Sequence, residues 1–316
     1  MKIRKKDKVR KSASIFEKVN RIRREGLTRK QLGYVLVMPT LAVIACIAVF
    51  PFIITANYSF HTIKLNVPHL GRPYVEFENY IRLLSSSRFT DSFKITLFFA
   101  SVVVVAQLLF GLAIALVLNK EFKGRGAIRA TILAPWAIAL VIVAQFWRWM
   151  YNGVFGIINF FFLSLGVIDK PIDWLGESAS LAIGSVIVAE LWRNTPFMAI
   201  VILAGLQSIP GQLYEAAKID GAGVFQKFRR ITLPLLKPAI LVALLFRSID
   251  AFRAFDLLYA LTRGGPGNST ELASLYAYKL LFGYLDFGRG SAATILMAIF
   301  TTALCLTLLK LIRIEE

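Results

Sequence analysis

Residues 208–238 read SIPGQLYEAAKIDGAGVFQKFRRITLPLLKP, a polar, proline-punctuated stretch set between two long apolar runs. Ser208 is a good N-cap and Pro210 fits a first helical turn, so the spacing predicts a short helix over 209–219. Asp220 and Gly221 end it, and Asp220 can cap a second short helix running to Phe228. Pro234 and Pro238 then stop that element and restart the chain as a new apolar segment. Ala216 and Ala217 leave a small-side-chain patch open to close approach by another protein. Two readings fit this stretch: a docking element beneath a membrane bundle, or an amphipathic connector.

The flanks supply the setting. Of 316 residues, 57% are hydrophobic and only 18% charged, yet Lys and Arg number 37 against 19 Asp and Glu. A soluble basic protein carries about a quarter of its residues as charges, so nucleic acid is not an expected partner. The apolar content excludes disorder, and two cysteines exclude a disulfide scaffold. Six stretches are long and apolar enough to cross a hydrocarbon core roughly 30 Å thick. They fall near Tyr34–Phe60, Phe93–Leu118, Ala130–Trp149, Leu181–Leu206, Ala239–Thr262 and Ser291–Ile312. Lipid-facing backbone must satisfy its own hydrogen bonds, and no short alternating segments suggest a barrel. The fold class is therefore an all-α polytopic membrane protein with six transmembrane helices.

Basic residues set the expected orientation. With the N-terminus inside, 24 Lys and Arg face the cytoplasm and 9 face outward, 13 of the former in residues 1–33. Leaving that tail out, 11 basic residues in 50 stand inside against 9 in 93 outside. The expected organisation is a basic cytoplasmic tail (1–33), a transmembrane domain (34–312) containing the cytoplasmic loop 207–238, and a short cytoplasmic C-terminus (313–316). The tail serves either topology or attraction to anionic membrane lipids, worth about 1 kcal/mol per basic residue near the surface. It is no signal peptide, because the apolar run after it is of full span length.

The loop also carries a resemblance. Glu215-Ala216-Ala217, three residues, Gly221, nine residues, Ile231, one residue and Leu233-Pro234 resemble the EAA loop of ABC importer permeases. Glu190-Leu191-Trp192-Arg193-Asn194-Thr195-Pro196-Phe197 before it, and Phe255 through Pro266 after it, resemble the carbohydrate-uptake branch, the maltose-type and related disaccharide or glycerol-phosphate permeases. The similarity covers about residues 34–312 and implies the type I importer permease fold. It further implies a second homologous permease subunit, two copies of an ABC ATPase subunit, and an extracytoplasmic sugar-binding protein. By this resemblance Glu215, Ala216, Ala217, Asp220, Gly221, Ile231, Leu233 and Pro234 couple to the ATPase, with Glu215 and Asp220 as polar contacts. The dipeptide Gly-Lys never occurs, so no phosphate loop is present. No cofactor is expected on this chain; ATP and Mg are used by the partner ATPase.

Six ionisable residues lie deep in two spans: Glu190 and Arg193 in the fourth, Arg247, Asp250, Arg253 and Asp256 in the fifth. At roughly 2.5–3.5 kcal/mol each, lipid exposure would cost on the order of 15–20 kcal/mol, so they must face protein, water or each other. Three acids balance three arginines. Helical rise puts Glu190 about 15 Å below the outer end of its span and Asp250 about 18 Å above the inner end of the next, both near the midplane. On one continuous helix Arg247 and Asp256 fall on opposite sides, whereas Arg253, Asp256 and Tyr259 share a sector. Pro196 frees the carbonyl near Trp192 and is expected to disrupt the fourth span, a place where transporters build sites. One reading is a sugar pathway using Glu190, Arg193, Asn194, Asp250, Arg253, Asp256 and Tyr259, with Trp192 or Phe252 stacking on sugar rings. The other is a set of ion pairs tying two spans together. Charge balance favours a neutral sugar over a phosphorylated one, and the resemblance implies a di- or oligosaccharide such as an α-glucoside.

On the outer side, Trp147 to Gly153 and Trp174 read as an interfacial aromatic belt, or as a gate. Gly264-Gly265-Pro266-Gly267 reads as a tight turn. His61 and His69 lack acid or cysteine neighbours at ligand spacing, and neither a metal site nor a catalytic residue is expected. An ion-coupled carrier and an integral membrane enzyme are the alternatives of another class.

Overall fold

The computed structural model describes residues 28–311. The basic tail up to residue 27 and the C-terminal segment 313–316 lie outside them. The chain divides into two compact units at Thr55 and Ala56. In the first, α1 (Arg29–Ile44) continues through a π-helical segment, Ala45–Val49, into the start of α2 (Phe50–Ser59), whose last four residues are counted in the second. The Phe50 amide donates five residues back to the Ala45 carbonyl, just before Pro51, which has no amide to offer.

The second unit opens with α3 (Glu78–Leu84) and α4 (Ser87–Asn119). After α5 (Arg125–Ala137) and α6 (Leu140–Met150) come the short α7 (Ile157–Ser164) and the long α8 (Ala179–Gln207). Then follow α9 (Gly211–Ile219), α10 (Val224–Lys227), a π segment Phe228–Thr232, and α11 (Leu233–Phe252). The last elements are α12 (Asp256–Leu261), α13 (Ala273–Tyr278), a π segment Lys279–Gly283, and α14 (Phe287–Leu311). Among the described residues five helices are long and apolar enough to cross a membrane, or six if α5 and α6 form one bent span.

Helices α4 and α8 form the spine of this unit. Two apolar clusters lie along them: Phe99, Val103, Val143, Val186, Leu257 and Leu258 toward one end, and Ala115, Met198, Ile202, Leu206, Leu236 and Ala243 toward the loop end. Small residues permit the approach. A Cβ on Gly111 would lie 2.7 Å from Met198 Cγ, and one on Gly205 would lie 2.4 Å from the Ala239 Cβ. The loop after α12 is pinned by a fully buried carboxylate. Glu271 accepts from Arg88 Nε at 2.7 Å, Arg88 Nη2 at 2.9 Å and Lys279 Nζ at 2.6 Å. Burial alone would raise its pKa, but the hydrogen bonds from Arg88 and Lys279 outweigh it and hold the carboxyl below its ordinary range.

Several expectations are corrected. The third span is not straight: α5 and α6 meet at 95° across Ile138–Ala139. The fourth is not interrupted, for α8 runs unbroken through Pro196. The fifth is, for α11 ends at Phe252 and α12 begins at Asp256, with no proline or glycine between them. The freed Ala254 carbonyl is satisfied by the Ser274 hydroxyl from α13. Of the expected aromatic belt, Trp149 is exposed, but Trp147 and Tyr151 are buried, and the Tyr151 hydroxyl donates to the Ser185 carbonyl at 2.9 Å.

Candidate functional site

The two helix breaks border one cavity. About 310 Å³ in volume, it is lined by Trp136 and Leu140 on either side of the first break. Glu190, Arg193 and Asn194 of α8 and Arg247 and Asp250 of α11 form its walls, and Arg253 to Leu257 close it across the second break. Its size is at the low end of the roughly 300–1,000 Å³ of small-ligand sites. All six ionisable residues picked out in the two spans reach it. Arg247 and Asp256 do not diverge as a continuous helix would force them to, because the break at 253–255 turns Asp256 back toward the same space.

The polar groups fall into two tiers. In the buried tier, Glu190 Oε1 accepts from Arg247 Nη2 at 3.0 Å and from Asn194 Nδ2 at 2.6 Å. Arg247 Nε donates to Gln107 Oε1 at 2.8 Å, and Gln107 Nε2 donates to the Glu190 carbonyl at 3.3 Å. None of these four residues is more than 6% exposed. The ring joins α4, α8 and α11 at one level. In the accessible tier, Asp250 accepts from Arg253 Nη2 at 2.8 Å and more distantly from Arg247 Nη1 at 3.4 Å. The Arg253 side chain is 72% exposed and that of Asp250 43%. Arg193 Nη1 donates to Asn194 Oδ1 at 2.9 Å, while its buried Nε has no hydrogen-bond partner among the described residues. Asp256 is exposed at the second break.

The aromatic walls differ from those expected. Trp192 stacks on Phe146 at 5.8 Å, and Phe252 packs on Phe300 at 5.1 Å; neither lines the cavity. Trp136, backed by Phe197 at 5.7 Å, and Phe255, backed by Tyr259 at 5.3 Å, line it instead. Tyr259 therefore supports a wall from behind. Gln107 escaped notice in the sequence although it is a lone amide in the apolar run 93–118.

The loop after α8 departs from expectation at both of its ends. Ser208 closes α8, its hydroxyl donating to the Gly205 carbonyl at 2.8 Å, and α9 begins only after Pro210. Asp220 is the C-cap of α9, its amide donating to the Ala216 carbonyl, and does not cap α10, which Gly223 precedes. Pro234 and Pro238 do not break the chain, since α10, the π segment and α11 are continuous from Val224 to Phe252. Pro234 lies inside that continuous helix directly after the π segment, where the Leu233 amide reaches five residues back to the Phe228 carbonyl and the helix carries on past the missing amide, as it does at Pro51. Gly221 has φ +76° with open space around it, so its turn requires the left-handed backbone. Glu215, Ala216 and Asp220 are exposed. So are three large apolar residues, Ile219 at 87%, Val224 at 83% and Phe225 at 74%.

A membrane bundle with a cavity at its broken helices and an apolar-tipped loop at one end agrees with the comparisons. Residues 91–314 match the model of the binding-protein-dependent transport system inner membrane component. The chain belongs to this family. It is thus an ABC permease subunit, a transport component and not a catalytic one. The trehalose/maltose transport system permease protein MalF of Thermococcus litoralis is 42% identical over 286 residues, 90% of this chain and 95% of its own length. The sulfoquinovosyl glycerol transport system permease protein SmoG of Agrobacterium fabrum is 35% identical, over 90% of this chain and 91% of its own. A crystal structure of a bacterial ABC transporter involved in the import of the acidic polysaccharide alginate shares the fold, with TM-score 0.79 and 24% identity over 96% of this permease and all of that chain.

Proposed function

We propose that this permease imports a neutral di- or oligosaccharide of the trehalose or maltose kind through the cavity between its broken spans. The observation that carries the reading is that three acids and three arginines line a single cavity between two aromatic walls. A phosphorylated or otherwise anionic solute would call for unbalanced cations, whereas paired charges still offer acceptors and donors to neutral hydroxyls. The 42% relative is a trehalose/maltose permease. In this reading Arg193, Asp250, Arg253 and Asp256 touch the sugar. Trp136 and Phe255 offer ring faces. Glu190, Asn194, Arg247 and Gln107 hold the wall in place.

The remaining parts complete the cycle. The termini face the cytoplasm, and the loop 207–238 docks two ATPase copies together with the equivalent loop of a second permease. The partner ATPase hydrolyses ATP with Mg as its cofactor, and an extracytoplasmic binding protein delivers the sugar to the opposite face. The apolar tip formed by Ile219, Val224 and Phe225 supports this docking, because an exposed apolar patch at a loop tip favours a protein partner. The deciding experiment is ATPase stimulation of the reconstituted complex, with its binding protein, by trehalose, maltose and glycerol phosphate in parallel. Stimulation by the neutral disaccharides is expected. Stimulation by glycerol phosphate alone overturns the assignment.

A further inference from the structure

A second constellation lies outside the transport cavity, at the bundle end that carries the coupling loop. Arg125 and Arg129 stand one turn apart at the start of α5, an arrangement of like charges that disfavours itself. In the orientation that satisfies its neighbours, the Gln207 carboxamide oxygen accepts from Arg129 Nη2 at 2.8 Å and from Arg125 Nη2 at 3.0 Å. Arg129 Nη2 also reaches the Leu118 carbonyl at the end of α4, at 3.4 Å. The Nε atoms of both arginines are buried and unpartnered. Among the described residues neither guanidinium forms a salt bridge. The turn before them adds Lys120 and Lys123 against Glu121 alone. Two cations thus converge on one neutral oxygen with no carboxylate between them among the described residues, which is the electrostatic shape of an anion site.

The same arginine opens onto an apolar groove. Arg129 and Gln207 border a cavity of about 250 Å³ whose other walls are apolar side chains of α5 and α8, among them Ile132, Leu133, Ile200 and Leu203. α8 is a candidate membrane span and α5 one arm of the bent pair, so the groove places an apolar half toward the hydrocarbon beside a polar rim. We infer that Arg125, Arg129 and Gln207 bind the phosphate of an anionic phospholipid, with one acyl chain lying in the α5–α8 groove. Basic pockets between spans recognise such headgroups by the same chemistry. The continuity of charge and groove selects a lipid over a soluble phosphate, which has no use for the apolar half.

The test uses the assembled transporter in phosphatidylcholine nanodiscs, with phosphatidylglycerol titrated in and bound lipid counted by native mass spectrometry. Phosphatidylglycerol is expected to remain bound, and Arg125→Gln with Arg129→Gln to weaken it about 30-fold, the loss of two surface charges. Arg125→Lys with Arg129→Lys retains most of the binding and controls for folding. Ala204→Phe, which narrows the groove and leaves both guanidinium groups, also weakens it. Unchanged binding in the double glutamine variant overturns the inference. So does competition by inorganic phosphate with Ala204→Phe binding normally, which would mark a soluble-anion site. Loss of subunit assembly in the glutamine variant with lipid binding intact overturns it too, because the arginines would then face a partner's carboxylate.

Discussion

Replacing Arg247 with methionine separates the part of the charge cluster that holds the bundle from the part that meets the solute. Arg247 is 3% exposed and serves three acceptors: Gln107 Oε1, Glu190 Oε1 and, at longer range, Asp250 Oδ2. Methionine keeps most of the stem volume and removes every donor. Glu190 is left as a buried carboxylate with only the Asn194 amide, and Gln107 loses its acceptor's partner. Breaking one side of a buried pair costs about 3–5 kcal/mol, because an uncompensated charge stays behind. At about 2 °C per kcal/mol for a chain of this size, the unfolding midpoint of the purified complex falls by roughly 6–10 °C. Glu190→Gln is milder, since Arg247 keeps Asp250 as a counter-charge. The double variant recovers a large part of the Arg247→Met loss, since no buried charge is then unpaired. Thermal unfolding of the four proteins closes the cycle. A stable Arg247→Met protein that has lost only sugar-stimulated ATPase activity refutes the two-tier assignment and makes Arg247 a sugar ligand.

The accessible tier behaves in the opposite way: Arg253→Gln and Asp256→Asn leave stability within about 1 kcal/mol, as exposed pairs do. They nonetheless raise the sugar concentration needed for half-maximal ATPase stimulation at least about tenfold, the equivalent of 1.4 kcal/mol of binding; unchanged stimulation curves exclude them from the sugar path. Gly221→Asp meets no neighbour and costs about 1–2 kcal/mol of left-handed strain, so the complex still inserts while ATP-driven uptake is lost. Normal uptake by that variant removes the docking role of the loop. Glu271 gives a pH signature. Its carboxyl titrates below the ordinary range, so its contribution is complete above the unfolded value near about 4.3 and disappears as pH falls through the lower folded value. The stability difference between wild type and Glu271→Gln is therefore flat from neutral pH to about 5 and shrinks only below about 4; a difference that fades between pH 5 and 8 contradicts the clamp.

What could be read in the sequence was local or energetic. Charges inside apolar runs announce themselves by their cost in lipid, and all six reached the cavity. The prolines were harder, because a missing amide has no fixed consequence. Pro196 passes inside an unbroken α8, and Pro234 passes inside the continuous helix Val224–Phe252, just after its π segment. Conversely, the break at 253–255 has neither proline nor glycine to mark it. It depends on Ser274, twenty residues further on, meeting the Ala254 carbonyl. Such a contact belongs to the tertiary fold and leaves no trace in periodicity. The same holds for Gln107, whose significance appears only once Arg247 is 2.8 Å away. The loop spacing suggested a docking motif but passed over Ile219, Val224 and Phe225, since isolated apolar residues in a loop look ordinary until their exposure is known.

The proposed coupling follows from where the structure is stiff and where it is not. The loop 208–232 is continuous with α8 at one end and with α10 and α11 at the other. These two arms touch at the loop end, where Gly205 leaves no room for a Cβ beside Ala239. They are tied again by the Glu190–Arg247 pair, about 26 Å along α8 from Gln207 and about 21 Å along α11 from Leu233. Two fixed points on two unbroken helices make a rigid lever, so a force on the loop cannot be absorbed by sliding one arm against the other. The compliance lies beyond the lever, at Ile138–Ala139 and at Arg253–Phe255, where helical hydrogen bonding is interrupted. Both breaks border the cavity. Displacing the loop therefore changes the angle of α6 and α12 against the lever, and with it the side to which Arg253 and Asp256 are open. A lever without the Glu190–Arg247 tie would lose this transmission while keeping ATPase docking, which is why uncoupled ATP hydrolysis is expected in Arg247→Met protein that survives purification.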